Sequence, residues 1–461
     1  GGYSMTTKKK GSAIVDMTVG SPTALILGFA IPMLLGTLFQ QFYSMADTVI
    51  VGRFLSVQAL AGVGSTAAIN FLINGFVIGM SSGFAIPVAQ RFGARDYADM
   101  RKFIANTIWL SLIFSVVVTG LVALFTKQLL ILTQTPEDIL PYAYQYIFII
   151  FLGIPTTYLY NVTASLIRAL GDSKTPVYFL ILASVVNIVL DFVSIVGFGF
   201  SVNGPALATV FSQAVSGICC IFYMRKKFPL LRFAPREMQF DARKCWILLS
   251  MALPMGLQYS ITAIGSVILQ SAVNMLGTVT VASVTAGQKI SMFFCCVYDA
   301  LGATMATYAG QNVGAGKLQR VQDGVYVATR IGIAYGLLAF LICFLFGNQL
   351  PLLFLSPDQT EIVRQARLFL LANSAFYVAL AVVNIWRFTI QGMGYSGFAI
   401  LSGVSEMIAR TLVGFIGVRF FGIYAVFFAS PLAWLSADCF LIPAFHHCLR
   451  KLRLLIGIRE D

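Results

Sequence analysis

Residues 31–51 read IPMLLGTLFQQFYSMADTVIV, an apolar run that opens on Ile31-Pro32 and holds a single carboxylate, Asp47, fifteen residues past the proline. A second carboxylate, Asp191, is placed alike in a later apolar run. Ionised groups are costly in hydrocarbon and are rarely kept there without a task, so the two acids point to the transport of ions or solutes across a membrane.

Composition agrees with a membrane setting. Of 461 residues, 58% are hydrophobic and 11% charged, and the mean hydropathy of +0.84 lies far above that of water-soluble domains. Apolar stretches near or above the roughly 20 residues needed to cross a bilayer recur along nearly the whole chain. They fall at 22–52, 57–86, 100–126, 139–166, 177–197, 202–224, 245–276, 280–308, 325–350, 362–388, 398–420 and 423–448. The expected fold class is therefore an all-α polytopic membrane protein with about twelve transmembrane helices. A β-barrel would need alternating segments of about ten residues, which these runs do not show.

The net charge of +13 does not mark a nucleic-acid module, because the basic residues punctuate the spans. Lys8–Lys10, the group Arg91, Arg95, Arg101 and Lys102, the pair Arg168 and Lys174, the segment Arg225–Lys244, the pair Lys317 and Arg320, and Arg450–Arg459 occupy every second connection. By the positive-inside rule both termini and the longest connection are expected in the cytoplasm of a multi-pass plasma-membrane protein. Gly1–Ser4, ahead of Met5, read as a cloning remnant, and the polar stretch after Lys8–Lys10 does not suit a cleavable signal peptide. The eight cysteines show neither C-x-x-C pairs nor histidines at ligand spacing, so reduced, space-filling side chains are expected and no metal cluster is implied.

The hydrophilic break at Arg225–Lys244 divides the chain into parts of similar size that echo each other. Ile31-Pro32 matches Leu253-Pro254, Gln90-Arg91-Phe92-Gly93-Ala94 matches Gln311-Asn312-Val313-Gly314-Ala315, and Arg168-Ala169-Leu170-Gly171-Asp172 matches Gln391-Gly392-Met393-Gly394-Tyr395. An internal duplication follows, with parallel repeats and a site expected between the lobes. The expected organisation is a tail at 1–20, an N-terminal lobe of six spans at 21–224, a cytoplasmic linker at 225–244, a C-terminal lobe of six spans at 245–450 and a tail at 451–461. The Gly-rich turns after the second, fourth, eighth and tenth spans read as helix terminators using left-handed glycine.

Within the first span, Gln40, Tyr43, Ser44 and Asp47 follow i, i+3, i+4, i+7 spacing and share one helical face. Pro32 removes a backbone hydrogen bond from the same helix and offers a bending point. Asn187 and Asp191 are i, i+4 neighbours on the fifth span, and Thr209 adds a hydroxyl on the sixth, four residues after Pro205. Oxygens of this kind suit a hard cation such as Na⁺, while a proton asks only for a carboxylate disposed to hold it. The second half has Leu269 in place of Asp47, and Glu406 and Arg410 in place of Asn187 and Asp191, a spacing that reads as a structural ion pair. Asp299 is a candidate substrate contact in the eighth span, and Asp438 in the twelfth has no evident role.

These residues resemble the multidrug and toxic compound extrusion family of cation-coupled exporters. The resemblance runs from about Ser21 to Arg450 and is carried by Pro32, Gln40, Tyr43, Asp47 and Val51-Gly52, by Gln90–Asp96, by Arg168–Asp172, by Asn187–Asp191, and by Asn203-Gly204 with Thr209. It implies a V-shaped pair of six-helix lobes that exports bulky, often cationic amphiphiles against entry of Na⁺ or H⁺. It also implies a cation site at Asp47, Asn187, Asp191, Thr209 and the carbonyl of Pro205, where Pro205 departs from the family's usual small residue. Pro32, Gln40, Tyr43, Asn161 and Asp299 are the candidate substrate or gating residues, with bending of the first helix at Pro32 as the mechanism that the resemblance implies. Acids that some members use in the seventh and tenth spans are missing here, where Gln258, Thr262, Asn373 and Asn384 stand instead.

The expectation is an antiporter with small amphiphilic or cationic substrates and membrane lipids as partners, acting as a monomer, with no cofactor beyond Na⁺ or H⁺ as coupling ion. The alternative is a flippase of the same superfamily for a lipid-linked precursor, which would be expected to show extra spans and a strongly cationic cavity. The chain shows no G-x-x-x-x-G-K-[ST], H-E-x-x-H or G-x-S-x-G array, so an enzyme is not expected.

Overall fold

The computed structural model describes residues 14–133, 135–353, 355 and 357–457. Lys8–Lys10, Gly1–Ser4 and Arg459 lie outside the described residues.

The described chain is a helical bundle. Ten helices are long and apolar enough to cross a membrane, and two bent helix pairs raise the number to twelve when each pair counts as one span. In order they are the helix Pro22–Phe54, then Gln58–Gly93, Tyr97–Leu124, Leu140–Leu152 with Ile154–Ala169, Lys174–Gly197, Asn203–Lys227, Ala242–Asn274, Val279–Gly314, Leu318–Phe346, Thr360–Ala375 with Tyr377–Gly392, Ser396–Phe421 and Ile423–Ile456. Every expected span has its counterpart.

The fourth and tenth spans, at matching places in the two halves, are each bent by 50°. The first break falls at Gly153, where Pro155 withholds an N–H just inside the next helix; the second falls at Phe376 without a proline. The symmetry extends to helix ends. The fifth span widens into a π turn at Val193–Gly197 and the eleventh at Val413–Gly417. Arg95 takes φ +59 where its counterpart Gly316 takes φ +75, and Gly171 and Gly394 both lie at positive φ.

Not all of the Gly-rich motifs work as expected. Gly93 and Gly314 are helical residues, so they do not supply a left-handed cap. Their role is close approach: a β-carbon on Gly93 would collide with the carbonyl of Gln311, and one on Gly314 with the carbonyl of Gln90. The second and eighth spans therefore cross backbone to backbone at equivalent points of the two repeats, as small residues permit in a bundle. The second and seventh spans pack nearly as closely, with a β-carbon at Gly83 falling 2.5 Å from Ala252 Cα and one at Gly79 falling 2.6 Å from the Met255 carbonyl.

One apolar core gathers residues of the first half, around Phe84, Phe103, Phe151 and Ile167, and reaches Leu248 and Ala252. A second gathers the other half around Tyr298, Tyr308, Ile385 and Phe445, and takes in Ile26, Phe29 and Ala30 from the opening turns of the first span. The connection between the halves is ordered against the third span by polar contacts. Glu237 meets Arg101 at 2.7 Å, Trp109 Nε1 donates to the Met238 carbonyl at 2.8 Å, and Lys244 meets Asp99 at 2.7 Å. Asp99 also holds Arg91 at 2.8 Å, which ties the basic connections into one end of the bundle. All eight cysteines are free thiols.

Candidate functional site

Asn187 and Asp191 lie on one face of the fifth-span helix, which ends at Phe192 and opens into the π turn just beyond Asp191. Such turns recur at functional sites because they break the regular i, i+4 ladder. Asp191 is fully buried and Asn187 nearly so. The amide of Asn187 donates to the Tyr43 hydroxyl of the first span and, at 3.1 Å, to Thr209 Oγ1 of the sixth. Thr209 in turn donates to the Pro205 carbonyl at 3.0 Å. The sixth-span helix begins at Asn203, so that carbonyl belongs to its first turn and already accepts a side-chain hydroxyl.

Asp47 completes the cluster from the first span. It and Asp191 act on each other electrostatically, and both act on Tyr43 and on Tyr146 of the fourth span. Asp47 Oδ1, Asn187 Oδ1 and both carboxylate oxygens of Asp191 are buried without a hydrogen-bond partner among the described residues. Buried polar atoms are ordinarily satisfied, so orphaned oxygens gathered in one place are a strong local anomaly. Their chemistry, two carboxylates with amide and hydroxyl oxygens, fits a hard monovalent cation or a shared proton. No group of three or more His, Cys, Asp or Glu side chains suited to a metal ion occurs among the described residues.

The remaining sequence candidates stand outside this network. Pro32 lies within the uninterrupted helix Pro22–Phe54, and Gln40 is exposed on the same helix. Asn161 donates to the Thr157 carbonyl of its own helix at 2.8 Å. Asp299, exposed on the eighth span, accepts from Asn384 at 3.5 Å. Tyr146 escaped the sequence reading, since it sits in an aromatic run where nothing distinguishes it from Tyr142 or Tyr144.

The second half carries a different polar cluster. Glu406 does pair with Arg410, at 3.4 Å, but its closer partner is Arg387, at 2.7 Å, which also donates to Ser402 Oγ at 2.9 Å. All three charged side chains are buried. Asp438 lies in the electrostatic range of Glu406 and Arg387, and its Oδ1 is buried without a partner among the described residues.

A duplicated bundle of membrane-spanning helices, with an acid pair buried in one repeat, defines a membrane transporter. The MatE family model matches residues 32–193 and 254–416, once in each repeat, and the chain belongs to that family of transporters, which are not enzymes. Among its relatives, the probable multidrug resistance protein YpnP of Bacillus subtilis is 28% identical over 429 residues, covering 91% of each chain. The probable multidrug resistance protein YoeA of the same organism is 27% identical over 373 residues, covering 79% of this chain and 77% of the relative. A protein of Shewanella oneidensis described as an FAD transporter is 24% identical over 367 residues, covering 78% of this chain and 80% of the relative. The fold matches a solved structure of a multidrug resistance MATE family transporter in an outward-facing conformation, with TM-score 0.88, 22% identity and coverage of 96% of this chain and 100% of that one.

Proposed function

We propose that this transporter is a cation-coupled antiporter that exports bulky amphiphilic, often cationic drugs by alternating access, with Na⁺ or H⁺ received at Asp47 and Asp191. The observation that carries this reading is the convergence of four buried, unpartnered oxygens from Asp47, Asn187 and Asp191. Two like charges in a low-dielectric bundle repel, and a cation or proton between them relieves both. Thr209 and Tyr43 orient the Asn187 amide and leave its oxygen for the ion. Coupling then requires that the ion bind the two facing states with different free energies, because equal affinity shifts nothing. Bending of the first span at Pro32 is the proposed response.

In this reading residues 21–224 and 245–450 are the two lobes, 225–244 the linker, and the end rich in Arg and Lys is cytoplasmic, with the protein acting as a monomer in the plasma membrane. The close crossing of the second and eighth spans at that end corresponds to an outward-facing state. Cells that express the Asp47→Asn or Asp191→Asn variant should lose protection against ethidium-like cations while retaining normal amounts of protein. Protection equal to the parent's would remove that residue from the coupling site.

A second reading, handling of an anionic amphiphile as in a flippase, draws on the buried pair Arg387 and Arg410 around Glu406 and on the Shewanella relative described as an FAD transporter. Competition of ethidium export by an anionic dinucleotide, but not by a second cationic dye, would favour it.

A further inference from the structure

Just before the first span, residues 14–21 form neither helix nor strand, yet Met17 and Thr18 are buried. The segment is a built turn: Asp16 Oδ1 accepts from the Thr18 amide at 3.0 Å and from its hydroxyl at 2.5 Å, and Gly20 takes φ +100. One side is fastened to the first repeat. The Val15 amide donates to the Leu170 carbonyl at 3.1 Å, Asp16 meets Arg95 at 3.5 Å, and the Val15 carbonyl lies so close to Gly171 that no β-carbon fits there.

The other side is fastened to the second repeat. The Met17 amide donates to Gln311 Oε1 at 2.8 Å, and the Met17 carbonyl accepts from Asn312 at 3.1 Å and from Arg320 at 3.1 Å. Lys317 Nζ donates to the Thr18 carbonyl at 2.8 Å, and Arg320 donates to the Gly20 carbonyl at 2.8 Å. The Met17 side chain enters the apolar core of the second half. Gln311, one of its partners, also donates to the Ala169 carbonyl of the first repeat at 2.9 Å and belongs to the backbone crossing at Gly93.

We propose that the segment Val15–Gly20 is a latch laid across the seam between the repeats, which must leave its groove before they can separate at the basic end. A passive tail would be held by one repeat and would travel with it. This segment is held by both through main-chain groups, so separation at Leu170 and Gln311 cannot leave both sets of bonds intact. Because Ser21 joins it directly to the first span, releasing the latch also removes one restraint on the end of the helix that carries Asp47, whose opening turns remain packed in the core of the second half. The inference rests on alternating access as proposed above, though not on the identity of the coupling ion.

The test uses the full-length protein in lipid nanodiscs, with hydrogen exchange of the Val15 and Met17 amides measured beside spin-label distances between Lys102 and Gln319, one in each repeat. The expected result is that conditions which lengthen the distance raise exchange of both amides together, and that Arg320→Ala raises exchange about tenfold while enlarging the long-distance population. Longer distances with either amide still protected would overturn the latch and show a lid carried by one repeat. Distances and exchange that stay fixed under every Na⁺, pH and ethidium condition would overturn both the latch and alternation. Ethidium export with the expected exchange behaviour but no dependence on Asp47 would leave the latch standing and remove the ion site.

Discussion

A carboxylate pair with orphaned buried oxygens is an unstable arrangement unless a cation or proton shares it, and Asp191, fully buried, has neither of its oxygens paired among the described residues, while half-buried Asp47 has Oδ1 unpaired. Asp47→Asn and Asp191→Asn should therefore relieve repulsion, so thermal stability should hold or rise while ethidium export falls to background; a drop in both would point to a structural role. Glu406 is the opposite case. It pairs with two buried arginines, and Glu406→Gln should cost about 3 kcal/mol, seen as a lower melting temperature in detergent. At this scale the sequence revealed the residues whose type is improbable in hydrocarbon, such as Asp47, Asp191 and Glu406. It did not reveal Tyr146 or the Arg387–Glu406 pairing, because both depend on which helices become neighbours.

Among the elements, the spans were legible from apolar length alone, and the repeat from landmarks such as Gln90–Ala94 and Gln311–Ala315. The 50° bends at Gly153 and Phe376 were not, since an apolar run reads the same whether the helix is straight or broken. Gly93 and Gly314 were found for the wrong reason, because sequence cannot separate a glycine needed for its backbone angle from one needed for close approach. Gly93→Ala must push the Gln311 carbonyl away, so it should open the seam; by symmetry Gly314→Ala should do the same at Gln90. Spin-label distances across the basic end should lengthen in both variants, and unchanged distances would mean that the crossing carries no conformational weight. Pro32 lies in a continuous helix, where alanine restores the missing N–H and stiffens the bend point. Pro32→Ala should slow ethidium turnover in vesicles more than it weakens ethidium binding, and an unchanged rate would make the proline incidental.

For the whole molecule, two homologous repeats have diverged in charge: the first keeps an acid pair with three orphaned carboxylate oxygens, and the second an Arg387–Glu406–Arg410 network beside Asp438. That asymmetry supports the proposed ion coupling in the first repeat. The most direct test is ethidium transport in proteoliposomes under a Na⁺ gradient and a pH gradient imposed separately, comparing the parent with Asp191→Asn. The account predicts that at least one gradient drives uptake by the parent and that the variant responds to neither. Gradient-driven uptake by Asp191→Asn at the parent's rate would contradict it.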